Sequence, residues 1–227
     1  LTADPKHGPL PVMLLILTVV TGVVDAVSIL SLGRVFVANM TGNVVFVGFA
    51  IAGAPGFSLS ASLVALAGFL VGALGGGLVI SRGVANRGTL FRNSVLVELG
   101  LLSAALAVSA VAASPFGGVA RDSIAGLAAV ALGGQNAVAR RLAVPDLTTT
   151  VLTMTLTGLA ADVGARDAAV VVRRLLAVLS MLLGAVCGAL LVLNSSAVAA
   201  LGLAVGLLAL VALLAVLAVR RPAAWQA

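Results

Sequence analysis

The chain has 227 residues, of which 62% are hydrophobic and only 9% charged, and its mean hydropathy is +1.27. A soluble domain carries roughly 25% charged residues, so this chain lacks the polar surface of a water-soluble fold and reads as one polytopic membrane domain over 1–227. The net charge of +6 comes from arginines in short runs between apolar segments, with no basic helix face and no interleaved aromatics, which argues against nucleic-acid binding.

A short polar leader, 1–9, holds the single histidine, His7. Eight apolar segments follow: 10–32, 40–54, 57–80, 93–113, 124–139, 149–161, 175–193 and 197–219. The first is too long for a signal-peptide core and is expected to remain as a span. Six are long enough to cross a bilayer, the fifth only when its ends are extended to Asp122 and Arg141. The second and sixth are short. Residues 40–54 make ~22 Å of helix at 1.5 Å per residue, against a hydrocarbon core of ~30 Å. The lone cysteine, Cys187, lies in an apolar run, so no intramolecular disulfide forms. With one cysteine and one histidine far apart in sequence, neither a metal site nor a bound cofactor is expected.

Charge placement orients the segments. Arg82, Arg87 and Arg92, the pair Arg140 and Arg141, the run from Arg166 to Arg174, and Arg220 and Arg221 belong in the cytoplasm by the inside-positive bias. Segment six then leaves from and returns to the cytoplasmic side, and segment two from and to the outside. The expectation is an all-α protein of the bacterial inner membrane with six transmembrane helices, two half-depth broken helices and both termini cytoplasmic. Arg34 and Arg121 fall outside.

An internal repeat supports that count. Gly22-Val-Val-Asp-Ala-Val-Ser28 resembles Gly133-Gly-Gln-Asn-Ala-Val-Ala139; Met40-Thr-Gly-Asn43 lines up with Leu152-Thr-Met-Thr155; Gly68 to Leu74 lines up with Gly184 to Leu190. The matches keep their order, with offsets from 111 to 116. Repeats over 10–113 and 122–219 would each hold three crossings, and an odd number requires the copies to be inverted relative to each other.

The short segments carry the candidate site. Asn39, Thr41, Gly42 and Asn43 head the first; Thr149, Thr150, Thr153 and Thr155 head the second. Irregular backbone at membrane depth is tolerated only when buried in protein or lining a wet cavity. Asn39 to Thr41, and Thr148 to Thr150 after Pro145, suit helix N-caps. Two helix N-termini meeting near the midplane would offer unpaired N–H groups to a small polar or anionic solute. Gln135 and Asn136 would add amide contacts. Asp25, two-thirds along the first span, is placed as a coupling or gating carboxylate carrying a proton, or as a structural acceptor for Asn39, Thr41 or Asn43. Glu98, read as lying near the cytoplasmic end of the fourth span, is either a second such group or a snorkelling acid. The bland alternative is that these polar groups only cap helices. The Gly68, Gly72, Gly76 series and the Gly184, Gly188 pair read as close helix packing, within the chain or in a homodimer.

The Asp25 segment, Asn39-Met-Thr-Gly-Asn43, the Gly-Gln-Asn-Ala run at 134–137, Arg140-Arg141 and the threonines of 149–157 together resemble the YoaK-like family of bacterial inner-membrane proteins of unknown function. Met154 departs from the glycine that family's pattern has there. The resemblance implies a bacterial integral membrane protein and supplies no substrate. The function expected from the residues is a transporter or channel-like permease. A membrane scaffold or partner subunit is the second reading. An intramembrane enzyme is the third, and it lacks a converging catalytic set.

Overall fold

The computed structural model describes residues 6–81, 86–112, 114–150, 152–161, 168–220 and 223–226. Arg82, Arg166 and Arg221, counted among the basic connections, lie outside the described residues. The described chain is helical: α1 (Leu10–Ser31), α2 (Met40–Ile51), α3 (Leu59–Ser81), α4 (Arg87–Val111), α5 (Gly118–Leu142), α6 (Thr153–Ala161), α7 (Ala168–Asn194), α8 (Ala197–Val219) and a closing 3-10 turn, Ala224–Gln226. Five of these, α1, α3, α4, α7 and α8, are long and apolar enough to cross a membrane. The fifth segment is longer than its apolar core suggested. α5 has 25 residues, ~37 Å of helix, and carries Gln135 and Asn136 in its interior.

Local chemistry sets the ends. Asn86 accepts a hydrogen bond from the Thr89 N–H at 2.8 Å, and Ser196 accepts one from Ala199 at 3.1 Å, capping α4 and α8. Ser58 Oγ does the same for α3 through the Ala61 N–H. α5 stops at Ala143, which is left-handed (φ 48°), with Pro145 beyond it.

Hydrogen bonds sort the long helices between two ends. At one end Arg87 donates to the carbonyls of Lys6, Leu142 and Trp225, which gathers the N-terminal residues, the start of α4, the end of α5 and the C-terminal turn. At the other end Arg121 donates to Ser60 Oγ at 3.0 Å, joining the start of α5 to the start of α3, and the Ser58 N–H reaches the Gly33 carbonyl just past α1.

Two helix pairs carry the most extensive contacts, α3 with α5 and α1 with α7. Both are glycine crossings. A Cβ at Gly72 would overlap the Val130 carbonyl oxygen, and one at Gly133 the Phe69 carbonyl oxygen. In the other pair a Cβ at Gly184 would overlap the Val19 carbonyl oxygen, and one at Gly22 that of Met181. The residues of one crossing thus recur in the other at a spacing of 111 or 112 positions. Sequence alignment paired Gly68 with Gly184; the contacts pair Gly72 with Gly184, one helical turn later, because Gly72 comes closest of its series to the facing backbone. α4 packs on α5 as α8 packs on α1, and α4 and α8 pack on each other.

The interior is small-residue rich and the outside greasy. α1 is buried along most of its length, whereas α3 and α7 expose rows of leucine and valine such as Leu74, Leu78, Leu179 and Leu190. An apolar outer surface of this extent suits lipid rather than water.

Candidate functional site

The first broken element begins where α1 ends. Gly33 (φ 83°) and Arg34 (φ 57°) turn the chain, and 35–38 runs back along α1. There the backbone N–H groups of Val37 and Ala38 reach the Asp25 carboxylate. Asp25 lies six residues before the end of α1, so α2 starts ~9 Å inside that end. With 12 residues, ~18 Å of helix, α2 returns outward, and the following Ser58 is level with Gly33.

Asn43 fastens this turn. Its Oδ1 accepts from the Phe36 N–H at 2.8 Å and its Nδ2 donates to the Phe36 carbonyl. The Phe36 ring lies across Gly42, where a side chain would strike it, and stacks on Phe46 at 5.6 Å. Phe57 closes the cluster beneath the Arg34 guanidinium. Asn39 occupies the N-cap position, but its side chain makes no capping bond; it and Thr41 are exposed. The segment read as 40–54 ends at Ile51. Asp25 takes backbone donors rather than the side chains of Asn39, Thr41 or Asn43, because the bend at Val37 and Ala38 lies against it, Asn43 is turned to Phe36, and Asn39 and Thr41 are exposed.

The second element follows the same path from the opposite end. After α5 the chain turns at Asp146 (φ 64°) and Thr149 (φ 63°). Gln135, seven residues before the end of α5 and so ~10 Å inside, donates to Thr149 Oγ1 at 2.8 Å and to Thr21 Oγ1 of α1 at 3.3 Å. α6 starts only at Thr153, so Thr148 to Thr150 precede the helix instead of capping it, held off helical geometry by the left-handed Thr149. Arg174 of α7 lies over Gly158 and donates to Asp146 Oδ1 at 2.8 Å, which fixes α6 back at the end where α5 finished.

Thr21, Gln135 and Thr149 are therefore brought together in the buried interior, with Asp25 one turn along α1 from Thr21, and with Thr150, also buried, next in the chain after Thr149. Gln135 Oε1, Thr150 Oγ1 and Asp25 Oδ1 have no hydrogen-bond partner among the described residues. Thr155 is buried on α6, while Thr153 and Met154 are exposed. Asn136 faces away from Gln135, into an open groove of about 650 Å3 that it shares with Arg140 and Arg141 and with Phe69, Ala73 and Gly77 of α3. Glu98 is not near a helix end. It is the twelfth residue of α4's 25 and is 2% exposed, so it cannot snorkel. It borders a void of about 10 Å3 shared with Gln135.

Sequence reasoning missed Thr21 and the Asp146–Arg174 pair. A threonine in an apolar helix ordinarily bonds back to its own turn, as Thr21 does to Leu17, and nothing in its spacing marked the second contact. Arg174 was read only as one of a basic run.

The helical architecture, lipid-suited surface and polar interior define a multi-pass membrane protein with two irregular elements sunk into the bundle. A family model described as "Protein of unknown function (DUF1275)" matches residues 13–214, and the chain belongs to that family. It is 34% identical over 154 residues to the UPF0700 transmembrane protein YoaK of Bacillus subtilis (strain 168), across 68% of this chain and 67% of that one. No solved structure matches the chain.

Proposed function

We propose that the protein is a transporter or channel-like permease for a small polar or anionic solute, held between the starts of the two broken elements. The observation that carries this is the buried cluster at Gln135. Its amide joins Thr21 to Thr149, while Gln135 Oε1 and Thr150 Oγ1 keep unused hydrogen-bonding capacity inside a membrane bundle. Buried polar groups are nearly always satisfied, and intramembrane ones mark pathways.

In this reading α1–α4 and α5–α8 are inverted copies and the six long helices all cross. Supporting it are the recurrence of both glycine crossings at one spacing, and the return of α2 and α6 to opposite ends of the bundle. The second copy's Asn136, Arg140 and Arg141 would form an entry groove that favours anions. Asp25 is assigned the coupling role with a proton, since it alone of the two intramembrane carboxylates touches a broken element. The basic end would face the cytoplasm.

The test is a thermal-shift screen of the purified protein against small anions, amino acids, nucleobases and sugars, repeated with Thr150→Val. Thr150 Oγ1 has no hydrogen-bond partner among the described residues, so the substitution should leave the unliganded melting point within a few degrees. It should abolish the shift given by a true solute. A solute whose stabilisation survives Thr150→Val binds elsewhere, and a screen with no hits favours a membrane scaffold.

A further inference from the structure

Away from the broken elements, a second buried polar group has space beside it. A cavity of about 320 Å3 lies between α3, α4 and α5, within the ~300–1,000 Å3 range of small-molecule sites. Its walls are chiefly aliphatic, with Val71, Val79, Leu101 and Val130 among them. Glu98 is part of its wall and 98% buried, its two carboxylate oxygens covered on the cavity side and without a hydrogen-bond partner among the described residues. The described residues around the cavity include no lysine, arginine or histidine; the other polar side chains are Asn93 and Ser94. An ionised carboxylate in such surroundings is costly without a cation against it. The void that Glu98 shares with Gln135, at about 10 Å3, has room for no more than a water.

The cavity's outer edge faces lipid. Val71 and Val97 are 60% and 64% exposed. Between them Gly75 leaves a gap, since a Cβ added there meets nothing within 4 Å. The opening is at the mid-height of α4, so an occupant arrives sideways, from among the acyl chains.

We propose that this cavity binds an amphiphilic organic amine drawn from the bilayer, its hydrocarbon body against Val71, Val79 and Leu101 and its ammonium met by the Glu98 carboxylate as that side chain turns out of the wall. The carboxylate supplies the charge selection and the aliphatic wall the affinity for a hydrophobic body. None of the residues at the broken elements takes part, so this site stands or falls independently of the transport reading.

The full chain in nanodiscs is titrated with 1-naphthylmethylamine, and in parallel with the neutral 1-naphthylmethanol, each corrected against protein-free discs of the same lipid. The expected result is saturable amine binding at least tenfold tighter than that of the alcohol, weakened at least tenfold by Glu98→Gln. Gly75→Leu, which fills the cavity without touching the carboxylate, should abolish it. The amine should also protect Glu98 from modification by dicyclohexylcarbodiimide, read by mass spectrometry. Equal affinity for amine and alcohol, no saturable binding to the folded protein, or binding unchanged by both substitutions would overturn the proposal. If Glu98→Gln does not remain monodisperse, Gly75→Leu and the amine–alcohol comparison decide it on the same terms.

Discussion

Asp25 and Asn136 occupy matching places on α1 and α5, and what separates them is an acid in one and an amide in the other. The carboxylate receives the backbone of Val37 and Ala38, while the amide faces a groove shared with two arginines. If Asp25 couples solute movement to a proton, Asp25→Asn should remove pH-driven uptake into proteoliposomes and leave solute exchange intact. The amide keeps one acceptor oxygen for the turn, so the protein should still fold. Unchanged pH dependence would take the coupling role away from Asp25. That Asp25 mattered was visible in the sequence, because a lone acid in an apolar run must be accounted for. Its partners were not. The motif offered three polar side chains as candidates, and the contact went to two peptide N–H groups whose position depends on a turn at Gly33 and Arg34. Glu98 shows the same limit more sharply, since only the packing of three helices makes its surroundings a cavity.

At the scale of elements, the short apolar runs were legible as short helices from length alone, and their polar heads from composition. The starts were displaced where residues took positive φ, at Thr149 for α6, which no helix propensity announces. The glycine series was legible as packing, but its register was not, because Gly68, Gly72 and Gly76 look alike in sequence and only their distances to the facing carbonyls single out Gly72. This gives a prediction with an internal control. Gly184→Ala drives a methyl into the Val19 carbonyl and should cost about 1–3 kcal/mol, the usual penalty of overpacking. Gly202→Ala on α8 meets nothing within 4 Å and should be neutral or stabilising by up to ~1 kcal/mol, from helix propensity. Thermal unfolding in one detergent measures both. Equal effects at the two positions would mean that the α1/α7 seam is looser than described.

For the whole molecule, the distribution of arginines anticipated which segments share an end, and Arg87 joins several of them physically. α5 was harder to read, because Gln135 and Asn136 dilute its apolar signal while α3 and α4 cover it from the lipid. The arrangement predicts a labelling pattern. In a Cys187→Ser background, single cysteines at Lys6 and Arg141 should react with a membrane-impermeant maleimide from the same side. Cysteines at Ser60 and Asn194 should react from the opposite side. Mixed labelling within either pair would contradict six alternating crossings.

The two seams where backbone meets backbone also limit how the bundle can move. With backbone against backbone at Gly72, Gly133, Gly22 and Gly184, α3 cannot slide on α5, nor α1 on α7, without collision, so each pair behaves as a stiff plate. The α1/α5 boundary is far thinner, and the Gln135–Thr21 bond crosses it. Any rocking that exposes the interior first to one compartment and then to the other would therefore part the plates there, breaking the Gln135–Thr21 contact, and turn on the α4/α8 packing that also joins them.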